Sequence, residues 1–340
     1  MAAECAHGIA AWSSPAWLVL AGSWLDERLA EAGLRRTGAV RQPHLLPWST
    51  VLCAPTTGGR VWLKAEGPSQ AFEVGLYGLL CAVAPDDVLT PIAVDADRAW
   101  LLLPDGGEPL RTRLAGDALA VAVAAAMPRY AALQRAHAPH VNHLLALGVA
   151  DMRAAAMPGR MDEALVAARA YVEAYGGEHD RQACERAAAM RAQVAAWAER
   201  LAGAPGAPTI DHNDLHARNI LTRGDGDATF FDWGDSVVAH PFASVLVTLS
   251  FLRSHILECE PGDPRLLRVR DAYLGAFADL APHTELVETL ELACRLAKIA
   301  RALTWERVAQ ALDPQDVEDR WRRTPLECLM SLTAASYLDP

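Results

Sequence analysis

The segment that most constrains this chain is a run of polar residues at 209–235, enclosed by short apolar stretches. It contains Asp214 and Asn219, which are five positions apart, and Asp232, which follows Asp214 by 18 positions. The apolar flanks predict short buried strands, with the polar residues on the loops between them. Carboxylates are costly in such a place unless they have a function. The segment therefore predicts a functional site.

The spacing between Asn219 and Asp232 fits a β-hairpin. Strands are expected at 220–222 and 228–231, with a tight turn at 224–227. A hairpin of this length returns Asp232 to the neighbourhood of Asn219, so that a carboxylate and an amide oxygen converge. Oxygen ligands in small number suit Mg²⁺, which keeps several waters and shares substrate phosphates. Asn219 and Asp232 are therefore the predicted metal ligands.

The pattern His212-x-Asp214-x-x-x-x-Asn219, followed by Asp232-Trp233, resembles the catalytic and metal-binding segments of the aminoglycoside phosphotransferase and choline kinase group, small-molecule relatives of protein kinases. The resemblance covers about residues 38 to 310. It implies Asp214 as the catalytic residue. It also implies an α+β, two-lobed protein-kinase-like fold, with a small β-rich N-lobe and a large helical C-lobe.

Lysine usage draws attention to one upstream position. The resemblance implies a strand lysine that holds the nucleotide phosphates and a helix glutamate that holds the lysine. Lys64 ends the strand Val61-Trp62-Leu63-Lys64, and Glu73 follows on the next predicted helix. Lys64 and Lys298 are the only lysines among 31 basic residues. Lys298 is expected on the solvated face of its helix, where Arg would replace it with little effect.

The remaining nucleotide contacts are expected at two further places. No G-x-G-x-x-G covers the phosphates, and Ser49 and Thr50 are expected to donate to phosphate oxygens from their amides and hydroxyls instead. Pro104 lies in the predicted hinge and has no amide hydrogen. The adenine is therefore expected to be read by the backbone of Leu103 or Asp105. ATP or GTP is the expected phosphate donor, and Mg²⁺ is the expected cofactor.

Phosphoryl transfer requires positioning and charge neutralisation more than covalent chemistry from the protein. It needs a cation on the phosphates, Mg²⁺, and a carboxylate that orients the acceptor hydroxyl and takes its proton. Lys64, the Asn219–Asp232 pair and Asp214 fill these roles in turn. The expected activity is transfer of the γ-phosphate to a hydroxyl of a small molecule such as an aminoglycoside, an amino sugar or an amino alcohol. The alternative is a catalytically silent kinase-like protein that binds nucleotide as a regulator.

Three neighbouring polar residues admit other interpretations. His212 and His216 have the H-x-x-x-H spacing of zinc hydrolases, but Asn213 stands where the general base of a metalloprotease would be. Both histidines are therefore expected to pack the loop. Asp235 either contacts a second Mg²⁺ or caps the helix that follows.

Charge and hydropathy restrict the partners. The net charge of −11 disfavours non-specific attraction to nucleic acid or an anionic membrane. It is compatible with a cationic acceptor, and Glu258, Glu260 and Asp263 either attract such an acceptor or form a solvated loop. No apolar run reaches the ~20 residues of a spanning helix, so no membrane partner is expected.

The N-terminus and the cysteines predict the compartment. The first fifteen residues lack Lys and Arg and hence the basic start of a secretory signal. Seven scattered cysteines, none in a C-x-x-C pair, are typical of a reduced compartment. A cytoplasmic protein that is a monomer or a weak dimer is expected.

The order of predicted elements divides the chain into an N-terminal helical extension at 1–37, a nucleotide-binding N-lobe at 38–104 and a helical C-lobe at 105–340 that carries the catalytic loop and the acceptor site. Strands are expected at 49–54, 60–65, 90–94 and 99–103. Helices are expected at 15–36, 69–83, 117–137, 160–175, 179–202, 241–256, 266–281, 284–311 and 315–336.

Overall fold

A computed structural model describes residues 7–222 and 227–339. These residues form two compact units. One contains the described residues up to Gly107 and the later segment Arg307–Glu318, and the other contains Glu108–Glu306 and the described chain from Asp319 onward. The first unit is built on a β-sheet and the second is mainly helical, which confirms the expected α+β class. The turn expected at 224–227 lies, except for Asp227, outside the described residues.

The first unit is an antiparallel sheet of five strands in the order β1-β2-β3-β5-β4, accompanied by three helices. Its elements are α1 (Ile9–Trp12), α2 (Pro15–Glu31), β1 (Arg41–Leu45), β2 (Ser49–Thr56), β3 (Gly59–Glu66), α3 (Phe72–Val83), β4 (Ala93–Asp95) and β5 (Trp100–Pro104). Helix α2 begins after Ser14, whose hydroxyl accepts a hydrogen bond from the Trp17 amide. It ends before the expected position 36, and Gly33 just beyond it has a φ of 72°.

Strands β2 and β3 are longer than expected because their turn is shorter. Thr56 pairs with Gly59, so that only two residues lie between the strands, and Gly59 has a φ of 108° that favours glycine. Pro55 consequently lies in β2, opposite Arg60.

The core of this unit lies between one face of the sheet and helices α1 and α2. Trp100 of β5 packs edge-on against Trp17 and Trp24 of α2, with ring centroids 5.8 and 5.5 Å apart. Leu63 of β3 belongs to the same core. Because side chains alternate along a strand, Lys64 points to the opposite face. The packing of α2 therefore decides which face of β3 remains for Lys64.

The second unit surrounds two small sheets with helices. Its helices are α4 (Leu110–Arg113), α5 (Gly116–His137), α6 (Val141–Ala146), α7 (Met157–Tyr175), α8 (Glu178–Ala189), α9 (Arg191–Ala202), α10 (Val245–Leu252), α11 (Pro264–Gly275), α12 (His283–Gln310, with its C-terminal end in the first unit) and α13 (Asp319–Met330). Its strands are β6 (Glu108–Pro109), β7 (Ala150–Asp151), β8 (Thr209–Asp211), β9 (Ile220–Thr222), β10 (Ala228–Phe230) and β11 (Val237–Ala239). Within residues 7–222 and 227–339, no helix has both the length and the hydropathy of a membrane span.

Two predicted helices of this unit are divided in the structure. The one expected at 179–202 is interrupted at Met190, giving α8 and α9. The one expected at 241–256 consists of a 3₁₀ turn at Pro241–Ser244, then α10, then a π-helical turn at Arg253–Leu257.

The small sheets place two loops side by side. Strands β10, β9 and β6 form one sheet, and β7, β11 and β8 form the other. Loop 212–219 runs from β8 to β9, and loop 231–236 runs from β10 back to β11, which pairs with β8. Both loops therefore connect the same two sheets. The expected β9–β10 hairpin is confirmed, with Phe230 paired to Ile220.

Candidate active site

Loops 212–219 and 231–236 carry the predicted catalytic and metal-binding residues, and each contains a residue with a left-handed backbone. Asn213 has a φ of 59° and Asp232 a φ of 68°. Such a conformation costs a non-glycine residue about 1–3 kcal/mol and persists where the surroundings fix it. The Asn213 amide donates to Oδ1 of Asp211 at 2.7 Å. The loops are therefore held in one defined shape.

A buried polar network lies below loop 212–219. The Tyr130 hydroxyl of α5 accepts from the His212 amide at 3.0 Å and lies 2.7 Å from Oγ of Ser244. Ser244 in turn donates to the Asp211 carboxylate, and Thr248 of α10 donates to the Leu215 carbonyl at 2.7 Å. No local pattern in the sequence connects these residues, because Tyr130 lies 82 positions before His212.

Asp214 and Asn219 are in direct contact. Asn219 Nδ2 donates to the Asp214 carbonyl at 3.0 Å and to Asp214 Oδ2 at 3.2 Å. This leaves Oδ1 as the acceptor end of the Asn219 amide, which suits a metal ligand. The Asp214 side chain keeps 27% exposure, so an acceptor can reach it. Burial raises the pKa of Asp214 to about 7, against the opposing effect of the Arg301 guanidinium.

Asp232 follows directly on the hairpin ladder. The Phe231 amide donates to the Asn219 carbonyl at 3.3 Å. Phe231 therefore lies opposite Asn219, and Asp232 is the next residue along the chain. Among the described residues, no group of three or more His, Cys, Asp or Glu side chains is arranged to hold a metal ion. An ion at Asn219 and Asp232 would take its other ligands from phosphate and water oxygens, as Mg²⁺ commonly does. The two residues fit that ion.

Asp235 contacts an arginine that no sequence pattern singles out. Arg301 of α12 lies 3.2 Å from Asp235 Oδ2 and 3.4 Å from Asp214 Oδ1, measured from Nη1. The helix-cap interpretation of Asp235 is wrong, because the next element is β11, and the 3₁₀ turn that follows is capped by His240. Nothing local in the sequence marks Arg301 among 31 basic residues.

His212 and His216 both lie against aromatic rings. The His212 ring is 4.7 Å from that of Trp233, and its Nε2 donates to the Phe231 carbonyl at 2.9 Å. The His216 ring is 4.9 Å from that of Phe251. Burial lowers the pKa of His212 and lowers that of His216 to about 4. Both side chains therefore pack the loop as neutral rings.

Lys64 in the first unit contacts two buried carboxylates. Its Nζ lies 2.6 Å from Glu73 Oε2, the expected partner on α3, and 2.6 Å from Glu66 Oε1. Both glutamate side chains are fully buried and Lys64 is 12% exposed. Burial raises the pKa of Glu66 well above its ordinary value, against the attraction of Lys64. Glu66 was missed, although it stands two positions after Lys64 and hence on the same strand face.

Trp62 and Leu103 lie side by side on the sheet face that carries Lys64. Trp62 stands two positions before Lys64 and is paired with Leu103 of β5. The Arg60 guanidinium lies 5.6 Å from the Trp62 ring centroid. Leu103 was an expected nucleotide contact, and the structure places Trp62 directly opposite it on the neighbouring strand.

The other expected nucleotide contacts differ in their surroundings. Thr50 is fully buried and its hydroxyl donates to the His44 carbonyl at 2.8 Å, so the expected hydroxyl contact with a phosphate is not available to Thr50. Ser49, also buried, begins β2. Asp105 is exposed, and its Oδ1 accepts from the Gly107 amide at 3.2 Å.

Lys298 is not on a solvated helix face, which corrects the expectation from the sequence. It is 4% exposed, and Nζ donates to the carbonyls of Ser331 and Asp339, each at 2.8 Å. Burial lowers the pKa of Lys298 to about 8. The second lysine therefore holds the C-terminal segment.

Asp263, in the acidic segment near residue 260, is paired with a neighbouring arginine. Asp263 caps α11 by accepting from the Arg265 amide, and its carboxylate lies 2.6 Å from the Arg265 guanidinium. Glu258 and Glu260 are exposed. These contacts favour the solvated-loop interpretation of the segment.

A sequence model of the phosphotransferase enzyme family matches residues 68–286. No curated protein matches. A macrolide 2′-phosphotransferase from Brachybacterium faecium is 19% identical with a TM-score of 0.55, covering 88% of this chain and 100% of that chain.

Two kinases of small alcohols have similar structures. An ethanolamine kinase from Plasmodium vivax is 11% identical with a TM-score of 0.61, covering 95% of this chain and 90% of that chain. A choline kinase from Cryptosporidium parvum is 13% identical with a TM-score of 0.56, covering 86% and 88%. At these identities the likeness concerns the fold alone, and it confirms the expected protein-kinase-like architecture.

Proposed function

The chain belongs to the phosphotransferase enzyme family, and from this premise we propose that it transfers the γ-phosphate of ATP or GTP to a hydroxyl group of a small molecule. The observation that carries the proposal is the contact between Asp214 and Asn219 at 3.0 and 3.2 Å. This contact places a carboxylate that an acceptor can reach beside an amide whose nitrogen does the donating and whose oxygen is available as a cation ligand.

Asp214 orients the acceptor hydroxyl and takes its proton. As the acceptor oxygen bonds to the γ-phosphorus, the bond from that phosphorus to the bridging oxygen breaks, and the nucleoside diphosphate leaves. The proton of the hydroxyl passes to the Asp214 carboxylate. Asn219 holds this carboxylate in place through Nδ2.

Asn219 and Asp232 would hold Mg²⁺, which neutralises charge on the phosphates when it is bound. The hydrogen bond from the Phe231 amide to the Asn219 carbonyl supports this pairing, because it keeps the two ligand-bearing residues at adjoining positions of one hairpin. Asp232 supplies the negative charge that a hard divalent ion prefers.

Lys64 binds the nucleotide phosphates, and Trp62 with Leu103 offers the base an apolar surface. The support for this is that all three share one face of the sheet, with Lys64 fixed by Glu73. A base stacks favourably on an indole ring, and such contacts are worth about 1–3 kcal/mol per base in single-stranded nucleic-acid complexes.

For the acceptor we propose a cationic alcohol: an aminoglycoside, an amino sugar or an amino alcohol. The charges near Asp214 support this class. Asp232 and Asp235 add two negative charges near its carboxylate, and Arg301 adds one positive charge. The net charge of −11 attracts such a molecule at longer range.

A turnover screen tests the function. Purified protein with Mg²⁺ and either ATP or GTP is offered kanamycin, glucosamine, choline, ethanolamine, erythromycin and adenosine in turn, and the release of ADP or GDP and the mass of the product are measured. We expect release that depends on one cationic acceptor and disappears in Asp214→Ala. Nucleotide binding without turnover on any acceptor would instead support the silent regulator.

A further inference from the structure

Helix α12 contacts the residue before Asp214 with two side chains one turn apart. Arg301 Nη1 donates to the Asn213 carbonyl at 2.7 Å. Thr304 Oγ1 accepts from Asn213 Nδ2 at 2.9 Å. Asn213 has the left-handed backbone described above, so it depends on contacts of this kind. Loop 212–219 is thereby fixed to α12 directly beside its carboxylate.

The same guanidinium joins the two loops. Arg301 Nη1 lies 3.2 Å from Asp235 Oδ2 and 3.4 Å from Asp214 Oδ1. Asn213 Nδ2 also donates to the Asp235 carbonyl at 3.1 Å. Arg301 is only 16% exposed, and a charge so far removed from water requires such partners. Its position is therefore determined by the carboxylates and the Asn213 carbonyl.

The two oxygens of Asp214 consequently have different surroundings. Oδ1 faces Arg301, whereas Oδ2 accepts from Asn219 Nδ2 and lies 3.6 Å from His216 Nε2. A carboxylate held from both sides cannot turn freely about its Cβ–Cγ bond. Fixing a reacting group within a fraction of an ångström is worth large factors in rate.

We propose that Arg301 is a positioning residue for Asp214, which holds Oδ1 and so presents Oδ2, on the Asn219 side, to the acceptor hydroxyl. This role rests on the proposed phosphotransfer. Arg301 does not touch the acceptor; it acts through the carboxylate and through the shape of loop 212–219.

Arg301→Met and Arg301→Lys test the role, with Arg295→Met as the matched control. Arg295 lies on the same helix, but its guanidinium donates to the carbonyls of Ala334 and Ala335, which belong to neither loop. With the acceptor found in the screen, we expect Arg301→Met to lower kcat on the order of 10²-fold while the KM for nucleotide changes less than about threefold. Arg301→Lys, which keeps the charge, should fall between wild type and Arg301→Met. Arg295→Met should turn over as wild type does.

Hydrogen–deuterium exchange gives a readout that does not need turnover. Amides of residues 211–219 should exchange faster in Arg301→Met than in wild type, and Arg295→Met should leave them unchanged. Unaltered exchange, or a kcat equal to that of Arg295→Met, would overturn the positioning role. If Arg301→Met does not fold, Arg301→Lys decides: a lowered kcat at unchanged nucleotide KM supports the role, and wild-type kinetics reject it.

The two proposals fail in different ways. Suppose wild type phosphorylates nothing in the screen, while exchange of residues 211–219 speeds up in Arg301→Met but not in Arg295→Met. In that case phosphotransfer is rejected, and Arg301 still positions the loop. If wild type is active and the Arg301 variants match it, phosphotransfer stands and the positioning role is rejected.

Discussion

The side-chain amide of Asn219 points its NH₂ group at Asp214, 3.0 Å from the carbonyl oxygen and 3.2 Å from Oδ2. The nitrogen of this side chain holds the Asp214 carboxylate, and in the proposed function its oxygen binds Mg²⁺. The proposal therefore gives different expected effects for changing Asp214 and for changing the proposed metal ligands.

Asp214→Ala should abolish phosphoryl transfer and leave nucleotide affinity within a few-fold. A carboxylate that orients the acceptor acts in the transition state more than in nucleotide binding. Steady-state kinetics and titration calorimetry with nucleotide measure the two quantities. Loss of nucleotide binding in parallel with activity would contradict the assignment.

Asp232→Asn should remove the Mg²⁺ dependence of nucleotide binding, because the substitution deletes the charge that the ion prefers but keeps the shape. Calorimetry with and without Mg²⁺, and after chelation, measures this. If the variant binds nucleotide with the same Mg²⁺ dependence as wild type, the metal lies elsewhere.

Lys64→Arg should lower kcat/KM by on the order of 10²-fold or more, even though charge is kept. The ammonium fits within 2.6 Å of both Glu66 and Glu73 at a site that is 12% exposed. A planar, longer guanidinium cannot occupy that place with the same contacts. Steady-state kinetics, with circular dichroism to confirm folding, check this. Near-wild-type activity would show that Lys64 is an ordinary strand residue.

Lys298→Arg provides the contrast, with a different result from that expected on a solvated face. Its Nζ occupies a closed site between α12 and the C-terminal carbonyls, so a larger side chain should lower the free energy of unfolding by about 1–3 kcal/mol. The kcat/KM of the folded fraction should stay within a few-fold. Denaturant unfolding and kinetics on the same samples distinguish the two lysines; a larger loss of activity than in Lys64→Arg would contradict this division.

Glu66→Gln should be tolerated where Glu73→Gln is not. Burial raises the pKa of Glu66 well above its ordinary value, which means that the site disfavours a charge at this position and should accept a neutral amide of the same shape. Glu73 is the expected partner of Lys64, 2.6 Å from Nζ, and Glu73→Gln should reduce kcat/KM by at least about tenfold. Kinetics at neutral pH on both variants test the asymmetry, and equal damage from the two substitutions would contradict it.

The protein should lose stability as the pH falls from about 6.5 to 4, in part through His240. Burial lowers the pKa of His240 to about 4, and its Nε2 donates to the Pro205 carbonyl at 3.1 Å while Nδ1 accepts from the Phe242 amide. In this window the unfolded chain binds a proton at His240 and the folded chain does not, so the free energy of unfolding decreases on acidification.

His240→Gln, which retains an NH donor, should remove on the order of 2 kcal/mol of this loss. Denaturant unfolding at several pH values measures it, and His143→Gln on the exposed surface of α6 is the control. Burial raises the pKa of Asp211 to about 6, so acidification through this group raises the free energy of unfolding and opposes the effect of His240. This contribution is the same in wild type, His240→Gln and His143→Gln. A slope unchanged by His240→Gln would exclude this residue as a contributor.

Much of the local structure followed from the sequence because it depends on near neighbours. The β9–β10 hairpin has the expected strand positions, since turn length and strand length set its register. Helix boundaries were less accurate. The break at Met190 has neither Gly nor Pro beside it to mark it, and α2 ends short of the expected position 36.

The phosphotransferase family could be predicted from the sequence, because the spacing of Asp214, Asn219 and Asp232, and the position of Lys64 on a strand before Glu73, are local patterns that do not depend on packing. The surroundings of these residues depend on long-range packing and could not be predicted in this way. Arg301 reaches Asn213 from 88 positions away, and the C-terminal segment buries Lys298 on a helix face that looks solvated in isolation. The physical reason is that periodicity and spacing encode which face of an element is apolar, whereas the partner of a buried charge depends on which distant element packs there.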